Sequence, residues 1–182
     1  MIPCYVSGKG MHASDPTWSF KTTVILALED SGLGYDTRYR YYRRQFPDLA
    51  PEVLARRVCD PVEYYDRDWE SWRRGPGAGM EETEAATRFM LERDDRFRAE
   101  ARAAIYCFDE AGFGSGINVM RFLTAGKPLL GFYNPARKAA SLNLSNVLQL
   151  ALEFPRLVTL QTYSETAQIT PRVLDWLKGI MP

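Results

Sequence analysis

Two carboxylates, Asp109 and Glu110, head a glycine-rich segment, D-E-A-G-F-G-S-G-I-N, in which Gly112, Gly114, Ser115, Gly116 and Asn118 follow. A carboxylate beside a bound ligand can act as general base on a water molecule, and an amide such as Asn118 can help to orient that water. Glycines this dense suit backbone that bends sharply or approaches a ligand closely. A helix beginning there adds unpaired N–H groups and a partial positive charge, both matched to phosphate or carboxylate. A second glycine-bearing loop, S-G-K-G-M-H, supplies Gly8, Lys9 and the only histidine, His12. The same spacing also fits a tight strand-to-helix connection with no ligand.

The elements around these loops set their positions. Ala103 to Phe108 is a short, mostly apolar run that fits a strand buried on both faces. After Gly116, the residues Ile117, Met120, Phe122 and Leu123 fall on one helical face, Gly126 stands at a C-terminal cap, and Pro128 blocks continuation before a strand from Leu129 to Tyr133. Upstream, Ile2 to Ser7 reads as the first strand, and Ser14 or Asp15 caps a helix with Pro16 in its first turn and Phe20, Val24 and Leu28 on its apolar stripe. Tyr35 to Tyr41 alternates in the manner of a half-exposed edge strand. Its continuation, T-R-Y-R-Y-Y-R-R, reads as an edge protected by charge, from which a phosphate could recruit one or two arginines.

Residues 46–79, divided by four prolines and rich in Tyr64, Tyr65, Trp69 and Trp72, have the character of an insertion or lid, or of a contact with a second subunit. Pro51 opens a short helix ending near Val58, and Gly75, Gly77 and Gly79 read as linker. A long charged helix from Met80 to Glu100 buries Ala85, Phe89 and Phe97. A helix from about Leu142 to Phe154, a strand from Leu157 to Leu160 and a helix opening at Thr170 and Pro171 complete the chain. Strands alternating with helices predict one α/β domain, a three-layer sandwich about a five-stranded parallel sheet with right-handed crossovers. The flavodoxin-like order 2-1-3-4-5 brings the loop after Ser7 beside the loop after Phe108. A pocket there draws on Gly8 to His12, Asp109 to Asn118, and Asn134 to Arg137.

The 182 residues are enough for one such domain, and 23 basic residues balance 23 acidic ones. A neutral chain offers no overall field for nucleic acid or an anionic membrane, so a small ligand is expected. Cys4, Cys59 and Cys107, odd in number and widely spaced, suggest reduced thiols in a cytoplasmic protein. The start lacks a leader pattern, and no run approaches the length needed to span a bilayer. One histidine and no cluster with ligand spacing lead us to expect neither a metal nor another cofactor.

The segment G-S-G-I-N-V-M-R-F-L-T-A-G-K-P resembles the nucleoside 2-deoxyribosyltransferase family and the related deoxynucleoside monophosphate N-glycosidases. It aligns without gaps on that family's G-(any)-G-(aromatic)-E-(any)-G…A-(any)-G-K-P pattern, with Gly114, Gly116, Gly126, Lys127 and Pro128 in register. The opening Y-V-S-G-K is similar to the family's Y-L-A-G-P and places Tyr5, Gly8 and Lys9, while S-N-V-L-Q resembles its N-L-M-L helix start and places Asn146. The resemblance implies a nucleoside or nucleotide ligand and a homodimer or higher assembly in which Asn146 reaches a neighbouring site. The departure is at the reactive position. Where the family has a glutamate that attacks the sugar, this chain has Asn118, and Arg102 stands near the place of the aspartate that opens the family's central strand. A neutral amide can form no glycosyl ester and offers no negative charge to an oxocarbenium-like transition state.

Three functions remain open on the sequence. The first is nucleotide binding with the transferase chemistry lost. The second is direct hydrolysis of an N-glycosidic bond, with Asp109 or Glu110 as base. The third is a shared fold with an unrelated ligand.

Overall fold

The computed structural model describes residues 1–10, 13–59 and 65–181. Its strands are β1 (Ile2–Ser7), β2 (Gly34–Asp36), β3 (Ala103–Cys107), β4 (Leu129–Tyr133) and β5 (Val158–Thr162). They form one all-parallel sheet in the order 2-1-3-4-5, as expected for a flavodoxin-like sandwich. The helices are α1 (Asp15–Ser31), α2 (Thr37–Gln45), α3 (Pro51–Arg57), α4 (Tyr65–Arg74), α5 (Glu82–Glu100), α6 (Phe113–Thr124), α7 (Lys138–Glu153) and α8 (Ile169–Ile180).

Every residue of β3 is buried, which explains its unbroken apolar run: a central parallel strand has no solvent face. Its registers with β1 and β4 pair Tyr5 with Ala104 and Phe132 with Cys107, so Tyr5 and Phe132 lie on opposite faces of the sheet. Phe132 packs on Phe20 of α1 with centroids 5.5 Å apart, and Tyr5 packs on Phe122 of α6 at 5.6 Å. These contacts seat one helix against each side of the sheet.

The expected strand through Tyr41 is corrected by the structure: β2 stops at Asp36, and residues 37–45 are helical. Asp36 is the reason. Its buried carboxylate accepts from the backbone N–H of Arg38 and Tyr39 at 3.0 Å each, an N-cap that turns the chain into α2. It also accepts from the Val6 N–H at 2.9 Å and pairs with Arg38, through Nη2 to Oδ2 at 2.9 Å and Nε to Oδ1 at 3.2 Å. Arg38 in turn donates to the Val6 carbonyl. A residue read as part of an edge strand instead locks α2 to β1.

The block A-G-K-P is likewise accounted for by folding. Gly126 adopts φ 69°, the left-handed conformation that ends α6. Lys127 reaches across to the last turn of α5, donating to the carbonyls of Arg98 at 2.6 Å and Ala99 at 3.1 Å. A cation on those open carbonyls complements the negative end of the helix. The carbonyl of Pro128 then accepts from Ala104 in β3 at 3.0 Å.

Within the insertion, Trp69 and Trp72 stack at 5.9 Å and both meet the edge or face of Phe89 on α5, at 5.4 and 5.7 Å. The Trp72 indole N–H donates to Glu92 at 2.7 Å. These aromatics hold α4 to α5. Tyr64 lies outside the described residues. α7 begins at Lys138, four residues before the expected Leu142, while its end at Glu153 agrees.

Candidate functional site

β1 and β3 are neighbours in space but not in sequence, so their outgoing loops diverge and leave a crevice at the carboxyl edge of the sheet. Gly8 makes the close approach possible: a Cβ there would stand 3.1 Å from the Cys107 carbonyl oxygen. Ser115, in the first turn of α6, donates to the Gly8 carbonyl at 3.2 Å and ties the two loops together. The crevice opens into a cavity of about 310 Å³, at the small end of ligand pockets. Gly8, Lys9, Gly114, Ser115 and Asn118 all line it.

The glycine-rich turn is shorter than expected, because α6 starts at Phe113 and makes Gly114 and Gly116 helical. Neither has a positive φ, and a Cβ at Gly112, Gly114 or Gly116 would meet nothing within 4 Å. Gly112 and Gly114 thus keep the cavity end of the helix bare of side chains. The N-cap, Gly112, makes no side-chain cap, and no side chain among the described residues is seen to accept from the first N–H groups of α6.

Residues with no local signal complete the walls. Val58 and Cys59 come from the end of α3, and Met90, Arg93 and Asp94 from α5. Lys21, Arg38 and Tyr5 also face the cavity. Lys21 is only 2% exposed: its ammonium donates to the Lys9 carbonyl at 2.9 Å and the Cys59 carbonyl at 3.5 Å, and lies 3.8 Å from the Trp18 ring centroid. Arg38 is neutralised by Asp36, and Arg93 meets Asp94 at 3.2 Å. Lys9 is a further cation of the lining. Burial pushes the Tyr5 hydroxyl up to about 12, with Asp94 adding to the rise, so it stays protonated as a donor at neutral pH.

The expected carboxylates are placed elsewhere. Asp109 is fully buried, accepts from the Asn134 N–H at 2.7 Å and the Tyr163 hydroxyl, and pairs with Arg137 at 2.9 Å. It anchors the loop after β4 to β3. Asn134 completes that anchor, its side-chain oxygen accepting from the Ala136 N–H at 3.0 Å, so the segment from Asn134 to Arg137 does not line the cavity. Glu110 accepts from the Ser14 N–H at 2.9 Å and the Thr17 hydroxyl at 2.8 Å, serving the start of α1. Burial raises its pKa, but these hydrogen bonds from Ser14 and Thr17 outweigh that and leave it below the usual carboxylate range. His12 lies outside the described residues.

Gly116 and Asn146 border a different feature, an apolar groove of about 860 Å³ between α6 and α7. Phe113, 87% exposed, stands in it with Ile117 and Met120, and Arg121 and Glu153 are charged members of its lining. Among the described residues no group of three or more His, Cys, Asp or Glu is placed to hold a metal, and no helix is long and apolar enough to cross a membrane.

No family model matches the chain, and neither a curated protein nor a solved structure matches it. The fold and the cavity together define a flavodoxin-like α/β protein with a small crevice between β1 and β3.

Proposed function

We propose that this crevice binds a nucleotide and leaves its glycosidic bond intact. The observation that carries the reading is Asn118, a neutral amide lining the cavity beside Lys9, at the position where the resemblance would require a nucleophilic glutamate. Lys9 and the start of α6 suit a phosphate. Direct hydrolysis has less support: Asp109 and Glu110 are both engaged in structural hydrogen bonds, and Glu110, with its lowered pKa, is a weak base at neutral pH. The test is a panel of deoxynucleosides, their 5′-monophosphates and NAD, scored by calorimetry and by chromatography of free base. The monophosphates are expected to bind with no base released. Binding with release would turn the reading into an N-glycosidase, and no binding to any member would point to an unrelated ligand.

We also propose that the α6–α7 groove is covered by a second copy of the chain. Phe113, Ile117 and Met120 offer exposed apolar area, and a two-fold contact would let Arg121 of each copy approach Glu153 of the other. Sedimentation at micromolar concentration should show a dimer, and Phe113→Glu should convert it to monomer with its fold intact. A monomeric wild type would end this proposal.

A further inference from the structure

Asn118 is held in one orientation. Arg98 Nη1 donates to its side-chain oxygen at 2.8 Å, and because a guanidinium carries donors only, it is the oxygen and not the nitrogen that faces Arg98. Arg98 is itself 6% exposed and fixed from behind: its Nη2 pairs with Asp95 at 2.6 Å, its Nη1 lies 3.7 Å from Asp94, and Asp95 also takes Arg121 at 2.6 Å. The last turn of α5, which carries Arg98, is tied down by Lys127. The Asn118 Nδ2 therefore points away from Arg98, and no hydrogen bond to another described residue uses its two N–H groups. Asn118 lines the cavity together with Lys9 and Lys21.

We infer that Asn118 is a specificity-determining donor, aimed by Arg98 as a positioning residue, that hydrogen-bonds an anionic oxygen of the ligand. The inference rests on the nucleotide reading of the cavity. It assigns the amide a role of its own rather than that of a lost nucleophile. A carboxylate at this position would keep the bond to Arg98 yet present an acceptor where the amide presents a donor, so an anionic ligand would be repelled at that point. The identity of the residue thus sets which charge the cavity accepts.

The chain is titrated with deoxyadenosine, deoxyadenosine 5′-monophosphate and inorganic phosphate, as wild type and as Asn118→Asp. This variant differs by one NH2-to-oxygen exchange and gains an ion pair with Arg98, so its melting temperature should equal or exceed that of wild type. We expect its affinity for the monophosphate to fall about a hundredfold, and its affinity for the uncharged nucleoside to change far less. In wild type, the side-chain amide resonances of Asn118, identified by their absence in the variant, should shift when the monophosphate is added. Arg98→Lys, which keeps the charge but loses the planar fork, should weaken that shift and the affinity together. Unchanged monophosphate affinity in Asn118→Asp would overturn the inference and leave the nucleotide reading standing. So would an equal loss for nucleoside and monophosphate, because the contact would then not be to an anionic oxygen. Failure of wild type to bind any of the three probes would overturn both.

Discussion

Asp36→Ala should lower the stability of the protein by about 3–5 kcal/mol, the range found when one partner of a buried ion pair is removed. Asp36 is fully buried and Arg38 is 6% exposed, so removing the carboxylate breaks an ion pair in the interior. Two further losses come with it. The Val6 N–H loses its acceptor, and α2 loses its N-cap at the Arg38 and Tyr39 N–H groups. A domain is stable by only about 5–15 kcal/mol, so the variant should unfold at much lower urea and melt about 10 °C earlier. The double variant Asp36→Asn with Arg38→Met, which removes both charges and keeps most of the volume, should recover a large part of the loss. Urea melts of the three chains measure this, and an Asp36→Ala variant within about 1 kcal/mol of wild type would show that the pair does not hold α2 in place.

The second large effect is chemical. Asn118→Glu is expected to release free base from an uncharged deoxynucleoside, where wild type releases none and exchanges no bases. The substitution puts a carboxylate into the cavity where the resemblance locates a nucleophile. Arg98 stands 2.8 Å from the Asn118 oxygen and would keep that carboxylate ionised at neutral pH. One negative charge beside the anomeric carbon can stabilise an oxocarbenium-like transition state, and about 1.4 kcal/mol of such stabilisation is a tenfold gain in rate. Chromatography of the released base measures it. The pairing with Arg98 also sets a limit, since a carboxylate shared with a guanidinium is a poorer nucleophile than a free one. A small gain, well short of an efficient enzyme, is therefore the expected size. Base exchange by the wild-type chain would remove the premise that Asn118 is inert.

The sequence was most informative where one local pattern had one physical cause. The apolar run Ala103 to Cys107 and the Gly126–Pro128 stop were legible because burial on both faces and a left-handed helix end each demand particular residue types. The stretch after Asp36 misled for the opposite reason: T-R-Y-R-Y alternates as a strand would, while its helix depends on an aspartate whose other partner, Val6, is thirty residues away. The candidate site divides in the same way. Gly8, Lys9, Ser115 and Asn118 follow the two strands whose order could be anticipated, and the structure gathers them. Lys21, Arg93 and Asp94 come from helices α1 and α5, which sequence spacing does not bring near the loops. Asp109 and Glu110 looked reactive because acids beside glycines often are. Only their hydrogen bonds to Asn134, Tyr163, Ser14 and Thr17 reveal them as anchors.

The clasp of Lys127 on α5 bears on how such a chain can change over time. Lys127 holds Arg98 by its backbone carbonyl, while the Arg98 guanidinium holds Asn118. One residue thus belongs to the scaffold through its main chain and to the cavity through its side chain. Substitutions at position 118 leave the main-chain clasp untouched, so the architecture can survive the loss or exchange of a reactive group in a single step. Robustness of the frame and evolvability of its chemistry meet at Arg98, and a lineage could pass between catalyst and binder without first dismantling its fold.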